Sequence, residues 1–250
     1  KDMLPVEEWF EIDRYTLALT RELQQQCQAD YDRYEFHRVV QALQTFCSED
    51  LGGFWLDILK DRLYTTAPAS KARRSAQSAL WHVTQSFVRL MAPILSFTAE
   101  EIWQILTNDA QQSVMLHTWH QLPAQGGEGE LLAKWSLIRG VRGEVTKALE
   151  ALREEGKIGS SLQAEVRISA EGDKYDALAS LGEDLRFVLI CSKVTLEQGA
   201  DAIAAEASTQ QKCERCWHYR EDVGSNAEHP ELCGRCDSNL HGDGEVRQRA

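Results

Sequence analysis

The sequence predicts a mainly α-helical protein: an antiparallel helix bundle, a small α/β junction unit and a short cysteine-rich tail. Three observations carry that prediction. Apolar residues recur at helical spacing through residues 4–107. From about residue 130 one long amphipathic helix gives way to short strand-like runs. Near the end stand two Cys-x-x-Cys pairs, Cys213-Glu-Arg-Cys216 and Cys233-Gly-Arg-Cys236, with sixteen residues between them. That is the ligand pattern of a tetrahedral four-cysteine zinc finger. The expected divisions are 1–125 for the bundle, 126–199 for the junction unit, 200–210 for a linker and 211–250 for the zinc-binding tail.

Each element follows from local signals. Pro5 suits a first helical turn, and Val6, Trp9, Phe10 and Leu17 continue at helical spacing, interrupted by Asp13. A second helix starts from Tyr34 and carries Phe36, Val39, Val40, Leu43 and Phe46. Gly52-Gly53 precedes the run Phe54–Tyr64. Two glycines cost roughly 2 kcal/mol in a helix interior, so a kink or break is expected there. Pro68 ends this segment and Ser70 caps the next helix, with Ala76, Leu80, Val83, Phe87 and Leu90 on its apolar stripe and Pro93 at its end. Thr98-Ala-Glu-Glu101 reads as a capping box before Ile102, Ile105 and Leu106. Trp81 and Trp103 are expected in the core. Residues 108–130 are loop-like around a β-like run, Val114–Trp119, and His117 and His120 lack a further ligand type nearby in sequence.

In the second unit, Leu131–Glu155 carries Leu137, Val141, Val145, Leu149 and Leu152, and Gly156 and Gly159 close it. Gln163–Ser169 alternates Ala164, Val166 and Ile168 with polar residues, as a half-buried strand does. Asp173–Leu181 reads as a short helix, Phe187–Cys191 and Val194–Gln198 as strands, and Gly199–Gln210 as a linker.

Composition sets limits. The chain has 250 residues, 43% of them hydrophobic, and its net charge is 27 − 39 = −12. No apolar run approaches the roughly 18–20 residues of a membrane span, and the polar start lacks a signal peptide, so no membrane partner and a cytoplasmic location are expected. Position 1 is Lys rather than Met, which leads to the expectation that this is a piece of a longer chain. Seven cysteines leave three outside the pairs: Cys27, Cys47 and Cys191, read as buried free thiols in a reducing compartment. An acidic chain restricts any nucleic-acid surface to a local patch, because phosphate contacts need Lys and Arg. Lys60–Met91 is that patch: Lys60, Arg62, Lys71, Arg73, Arg74 and Arg89 stand against Asp61 alone. The other reading is a solvated helix face with compensating acids nearby in space.

In the tail, a two-residue gap lets both thiolates of one turn face one ion, with backbone N–H groups bonding the sulfurs. Gly234 suits a tight, partly left-handed turn. Two disulfides or a redox pair are the alternatives, but a redox motif needs one pair on a strand-to-helix turn. Four thiolates would leave no open position for water, so such a site is structural. No G-x-G-x-x-G, P-loop or His-Glu-x-x-His occurs, and the chain is expected to be non-catalytic by itself.

Four segments carry a resemblance: Tyr34–Leu43, Phe54-Trp-Leu-Asp-Ile-Leu-Lys-Asp-Arg-Leu-Tyr64, Met91-Ala-Pro-Ile-Leu-Ser-Phe-Thr-Ala-Glu-Glu-Ile-Trp103, and Cys213–Cys236 with Trp217-His218. Together they resemble the C-terminal third of bacterial isoleucyl-tRNA synthetases over nearly the whole chain. The third segment is similar in the valyl, leucyl and methionyl enzymes, and the tail type selects the isoleucyl family. Lys157–Ala164 also resembles the isoleucyl and valyl junction segment. The family's ATP-site motifs, His-Ile-Gly-His and Lys-Met-Ser-Lys-Ser, are absent.

The resemblance implies a part that holds the tRNA anticodon arm, while ATP-dependent attachment of isoleucine belongs to the catalytic half of the same polypeptide. It implies a bundle of the class I synthetase type, one structural zinc on Cys213, Cys216, Cys233 and Cys236, and a monomer. Lys71, Arg73, Arg74, Arg139, Arg142 and Lys147 are the phosphate candidates, Arg215, Arg220 and Arg235 weaker ones, and Trp217 a base stacker or a cover over the zinc knuckle. The tail type is also similar to the zinc finger of some DNA glycosylases. A free-standing DNA-repair-type zinc-finger module is therefore the alternative, and a zinc-stapled protein scaffold a third reading.

Overall fold

The computed structural model describes residues 2–250; Lys1 lies outside the described residues. Contacts divide the chain into two compact units, 1–57 with 74–128, and 58–73 with 129–250. Residues 58–73, assigned by their pattern to the bundle, thus pack with the second unit.

The first unit is helical. α1 spans Glu11–Asp32, with Glu11 and Asp13 in its first turn, where the helix dipole favours acids. Its buried face includes Ile12, Tyr15, Leu23 and Cys27, and Asp13 is fully buried with Trp55 Nε1 donating to its carboxylate at 3.1 Å. Tyr34 does not start the second helix: it adopts φ +58° and is 80% exposed, and α2 runs Phe36–Thr45. At Gly52-Gly53, where a kink or break is expected, the helix does not break but widens. Phe46–Trp55 continues as a π-helix, which leads into α3, Leu56–Thr65. A Cβ on Gly52 or Gly53 would stand 3.1 or 3.0 Å from the carbonyl oxygens of Cys47 and Ser48, so the glycines let the wide turn close.

α4 spans Lys71–Met91, capped by Ser70, whose hydroxyl accepts from Arg73 N at 3.2 Å. Ala76, Ala79, Val83 and Leu90 are buried. α5 spans Ser96–Thr107, so it begins two residues before Thr98 and the capping box does not form. Glu100 instead accepts from Ser113 Oγ and Val114 N, at 3.0 Å each. Those bonds fold Val114–Leu116 into a 3₁₀ turn rather than a strand. Trp103 is buried as expected, but Trp81 is 41% exposed.

The second unit is built on α6, Glu128–Glu154, whose Trp135, Ile138, Val141, Val145 and Leu149 are buried at steps of three and four. Gly156, at φ +70°, closes it. β1 (Ala164–Ala170) is the centre of a three-stranded sheet, with β2 (Lys193–Gln198) parallel on one side and β3 (Ala202–Ala207) antiparallel on the other. Val166 pairs Val194 and Ala205. Residues 200–210 are therefore not a free linker. α7 spans Gly172–Ala179. Phe187–Cys191 is not a strand: α8 (Leu185–Leu189) buries Phe187, Val188 and Leu189 and ends at left-handed Ile190. A short continuous apolar run fits either element, and burial on all sides decided it. β4 (Gln211–Lys212) and β5 (Tyr219–Arg220) form a two-stranded ribbon, and α9 spans Gly234–His241.

Candidate metal centre and RNA-contacting residues

The ribbon and α9 bring the two cysteine pairs together. Cys213, Cys216, Cys233 and Cys236 are all buried, and their sulfurs lie within 4.8 Å of one another. All seven cysteines are free thiols; Cys27 and Cys191 are buried as expected, but Cys47 is exposed. Two backbone bonds shape the first turn, Cys213 N to His218 O and Trp217 N to Cys213 O, each 2.9 Å, and Cys233 N of the second pair donates to Cys213 Sγ at 3.3 Å. The left-handed residue is Trp217 at φ +65°, not Gly234, which opens α9. Gly234 is needed for close approach instead: its N–H donates to Asp222 Oδ2 at 3.1 Å, and a Cβ would stand 3.0 Å from that oxygen.

The donor set fits zinc. Hydrogen bonds from Cys213, Cys233 and Cys236 hold the Cys216 thiol far below its ordinary range. Against the upward effect of Cys216, its bonds to Cys233 and Cys236 lower Cys213 too, to about 6. Bonding to the Cys213 and Cys216 sulfurs pushes Cys233 and Cys236 up, so two thiolates form readily and the other two are disfavoured. A divalent cation relieves that crowding and takes all four as thiolates. Among the described residues, the partly buried apolar side chains packed against this cluster are Val223 and Leu232.

The rest of the tail is held by charge. Asp61 on α3 accepts from Arg235 Nη1 and Nη2 at 2.8 and 2.9 Å, and also from Arg247. Against the upward push of burial, Arg235 and then Arg247 hold Asp61 well below the usual carboxylate range. Asp61 in turn raises Arg235 against the pull of its burial, while burial pushes Arg247 down. Both guanidiniums stay charged. Glu245 lies 3.4 Å from Arg235, and the two guanidiniums sit 5.0 and 3.4 Å from the Phe187 ring centre. Arg215 Nη1 donates to Thr65 O at 2.5 Å.

Two known families match this chain. Residues 13–168, more than half of it, match the anticodon-binding domain of tRNA ligase. The chain belongs to that family. In this anticodon-binding chain, residues 210–239 also match a zinc finger found in FPG and IleRS, which together with the four-cysteine cluster indicates zinc binding. Among curated relatives, isoleucine–tRNA ligases are 70% identical over 247 residues in Dechloromonas aromatica (98% of this chain, 26% of that protein) and 62% over 254 in Aromatoleum aromaticum (100% and 27%). One from Azoarcus sp. is likewise 62% identical over 254 residues. The chain thus spans about a quarter of the relatives' length, corresponding to their C-terminal part. The DNA-repair alternative is not favoured.

The anticodon-binding chain distributes its basic residues unevenly. The stretch Lys60–Met91 is not one cationic face: Arg62 is fully buried, and Arg89 lies 4.5 Å over the Trp103 ring and bonds Gln85 O. Lys71, Arg73 and Arg74 do come together on the first turn of α4, where Lys71 is exposed and Arg74 Nη1 meets Gln77 at 3.0 Å. Arg139, Arg142 and Lys147 lie along α6; Lys147 is exposed, but Arg142 Nε donates to Val188 O at 2.9 Å and so helps hold α8. Arg235, a weaker candidate, is committed to Asp61. Trp217 is 60% exposed, with Lys212 Nζ 5.7 Å from its ring centre, so it does not cover the cluster; His218 is the buried neighbour. Sequence reading missed Asp61 and Arg247, whose separation of 186 residues leaves no local signal.

Proposed function

We propose that this chain is the tRNA-binding C-terminal part of an isoleucine–tRNA ligase. The match to the anticodon-binding family over 13–168 carries the reading, with the four-cysteine tail and the named relatives in support. The whole enzyme would attach isoleucine to its tRNA using ATP at a catalytic half elsewhere in the same polypeptide. It would act in the cytoplasm as a monomer, and this part alone would not activate isoleucine. One zinc would be held structurally by Cys213, Cys216, Cys233 and Cys236.

Lys71, Arg73 and Arg74 would meet phosphates. They sit at the positive end of α4, where backbone N–H groups and the helix dipole add to side-chain charge. Arg139, Arg142 and Lys147 are a second set, Arg142 the weakest because of its bond to Val188. Trp217 would stack on an unpaired base, a contact typically worth about 1–3 kcal/mol.

The test is a salt titration of tRNA binding with isoleucine tRNA and an anticodon-swapped control. Replacing Arg73 and Arg74 together by Ala should weaken binding and lower the salt slope by about two contacts. Trp217→Ala should weaken binding with little change of slope. Equal binding of both RNAs, or an unchanged slope in a folded double variant, overturns this assignment.

A further inference from the structure

Beside the cysteine cluster, three side chains converge that take no part in it. Asp237 and His241 stand four residues apart on α9 and so share one face of that helix. His229 reaches them from the loop between the cysteine pairs, with its backbone N–H bonded to Asn226 O at 3.1 Å. A nitrogen from each histidine and a carboxylate oxygen of Asp237 lie within 4.8 Å of one another.

The Asp237 carboxylate is half satisfied. Oδ2 accepts from Asn226 Nδ2 at 3.1 Å. Oδ1 is closed off from solvent without a hydrogen-bond partner and lies 3.9 Å from His229 Nε2. Leaving such an oxygen bare costs about 1–3 kcal/mol, more for a charged group. An arrangement that steadies one oxygen and leaves its twin bare beside a pair of stacked imidazoles is one that a cation completes. Two imidazoles and one carboxylate suit zinc and its neighbours in the transition series, whereas calcium and magnesium take oxygen shells.

We propose that His229, Asp237 and His241 form a second divalent-metal site, which takes zinc on three protein ligands with water completing the shell. Asn226 is its supporting residue, fixing the carboxylate as outer partners do around metal ligands. The His229 and His241 rings are stacked 4.0 Å apart at 12°, so the exposed His241 ring turns out of the stack to aim its nitrogen at the ion. Binding would pin the loop between the cysteine pairs to α9.

The test uses the whole chain, loaded with zinc and dialysed. One tightly held zinc belongs to the cysteines; equilibrium dialysis against added zinc should then reach two ions per chain. The variant carrying His229→Gln and His241→Gln should stop at one. His241→Gln alone, at an exposed position that threatens the fold least, should weaken the second ion at least tenfold. Cobalt added to the zinc-loaded chain should give visible bands without a thiolate charge-transfer band. A wild-type plateau at one ion, a second ion retained by the double variant, or a thiolate band from the added cobalt overturns the proposal. Failure of the cysteine site reads differently: the tightly held zinc is then missing, while the exchangeable ion still disappears with the histidines.

Discussion

The helical unit and the cysteine tail solve the same problem by different means. In the first, α1, α2 and α4 bury apolar stripes, and a buried acid such as Asp13 is bonded within it, here to Trp55 Nε1. In the tail, Val223 and Leu232 are the partly buried apolar side chains that the four sulfurs gather among the described residues, and an acid on α3 grips two arginines. A segment of about 40 residues cannot bury enough apolar surface to fold on that basis, so it depends on a metal and on paired charge. Packing of the first kind tolerates the loss of one group; cross-linking of the second kind does not.

The strongest way to break that contrast is Cys213→Ser. Structural zinc sites in finger peptides are worth about 10–16 kcal/mol in apparent binding energy. The variant should lose the zinc and the order of residues 211–250, read as lost amide dispersion in two-dimensional NMR, while α1, α2 and α4 keep their helical signal. The loss should also reach α3 and β3. Residues 200–210 are not a neutral spacer, and Arg215 and Arg235 bond to Thr65 and Asp61. Retained tail dispersion in a zinc-free variant would refute the dependence on metal.

The contrast also explains what the sequence could reveal. The apolar periodicity of α4 and α6 and the doubled Cys-x-x-Cys are local signals, and the elements stand where those signals put them; the first helix starts later than Pro5, at Glu11, because Val6–Glu8 forms a separate 3₁₀ turn. Gly52-Gly53 marks a helical irregularity, but its form is not legible locally, because a glycine pair allows a π turn as well as a break. Phe187–Cys191 misled because an apolar run has no period. The Asp61 network was invisible because its partners are 174 and 186 residues away, and Arg235 therefore passed for an RNA contact.

Asp61→Asn should have the next largest effect. Removing one partner of a buried pair typically costs about 3–5 kcal/mol, because the other charge remains buried. Here Glu245 stays near both arginines, so about 3 kcal/mol is expected for the second unit, read as a lower urea midpoint and faster proteolysis of 243–250. The depressed Asp61 carboxyl makes this contribution complete above the ordinary carboxylate pKa of 3.8 and lost only as pH falls through the lower folded value. A tail equally resistant to protease in wild type and variant would remove the ion network from its attachment.

The smallest effect sharpens the other side of the comparison, because the helical unit has its own charge-sensitive point. His82 Nδ1 and His120 Nε2 lie 2.9 Å apart, with Trp81 edge-on to the His120 ring. One nitrogen must donate and the other accept, so a fully protonated pair loses this bond. Burial, then His82 and Arg89, lowers His120 from 6.5 to about 4, and burial lowers His82. Between these values the unfolded chain binds more protons than the folded one, so stability falls as pH drops from 6.5 toward about 4 and is fully present above 6.5. His120→Gln should flatten that part of the curve while leaving the midpoint at pH 7.5 nearly unchanged, since Gln24 bonds the backbone carbonyl of residue 120 rather than its ring. The measurement is the urea midpoint of the helical signal from pH 7.5 to 4 in both proteins. Parallel curves would show that the histidine pair is as indifferent to protons as the apolar packing around it.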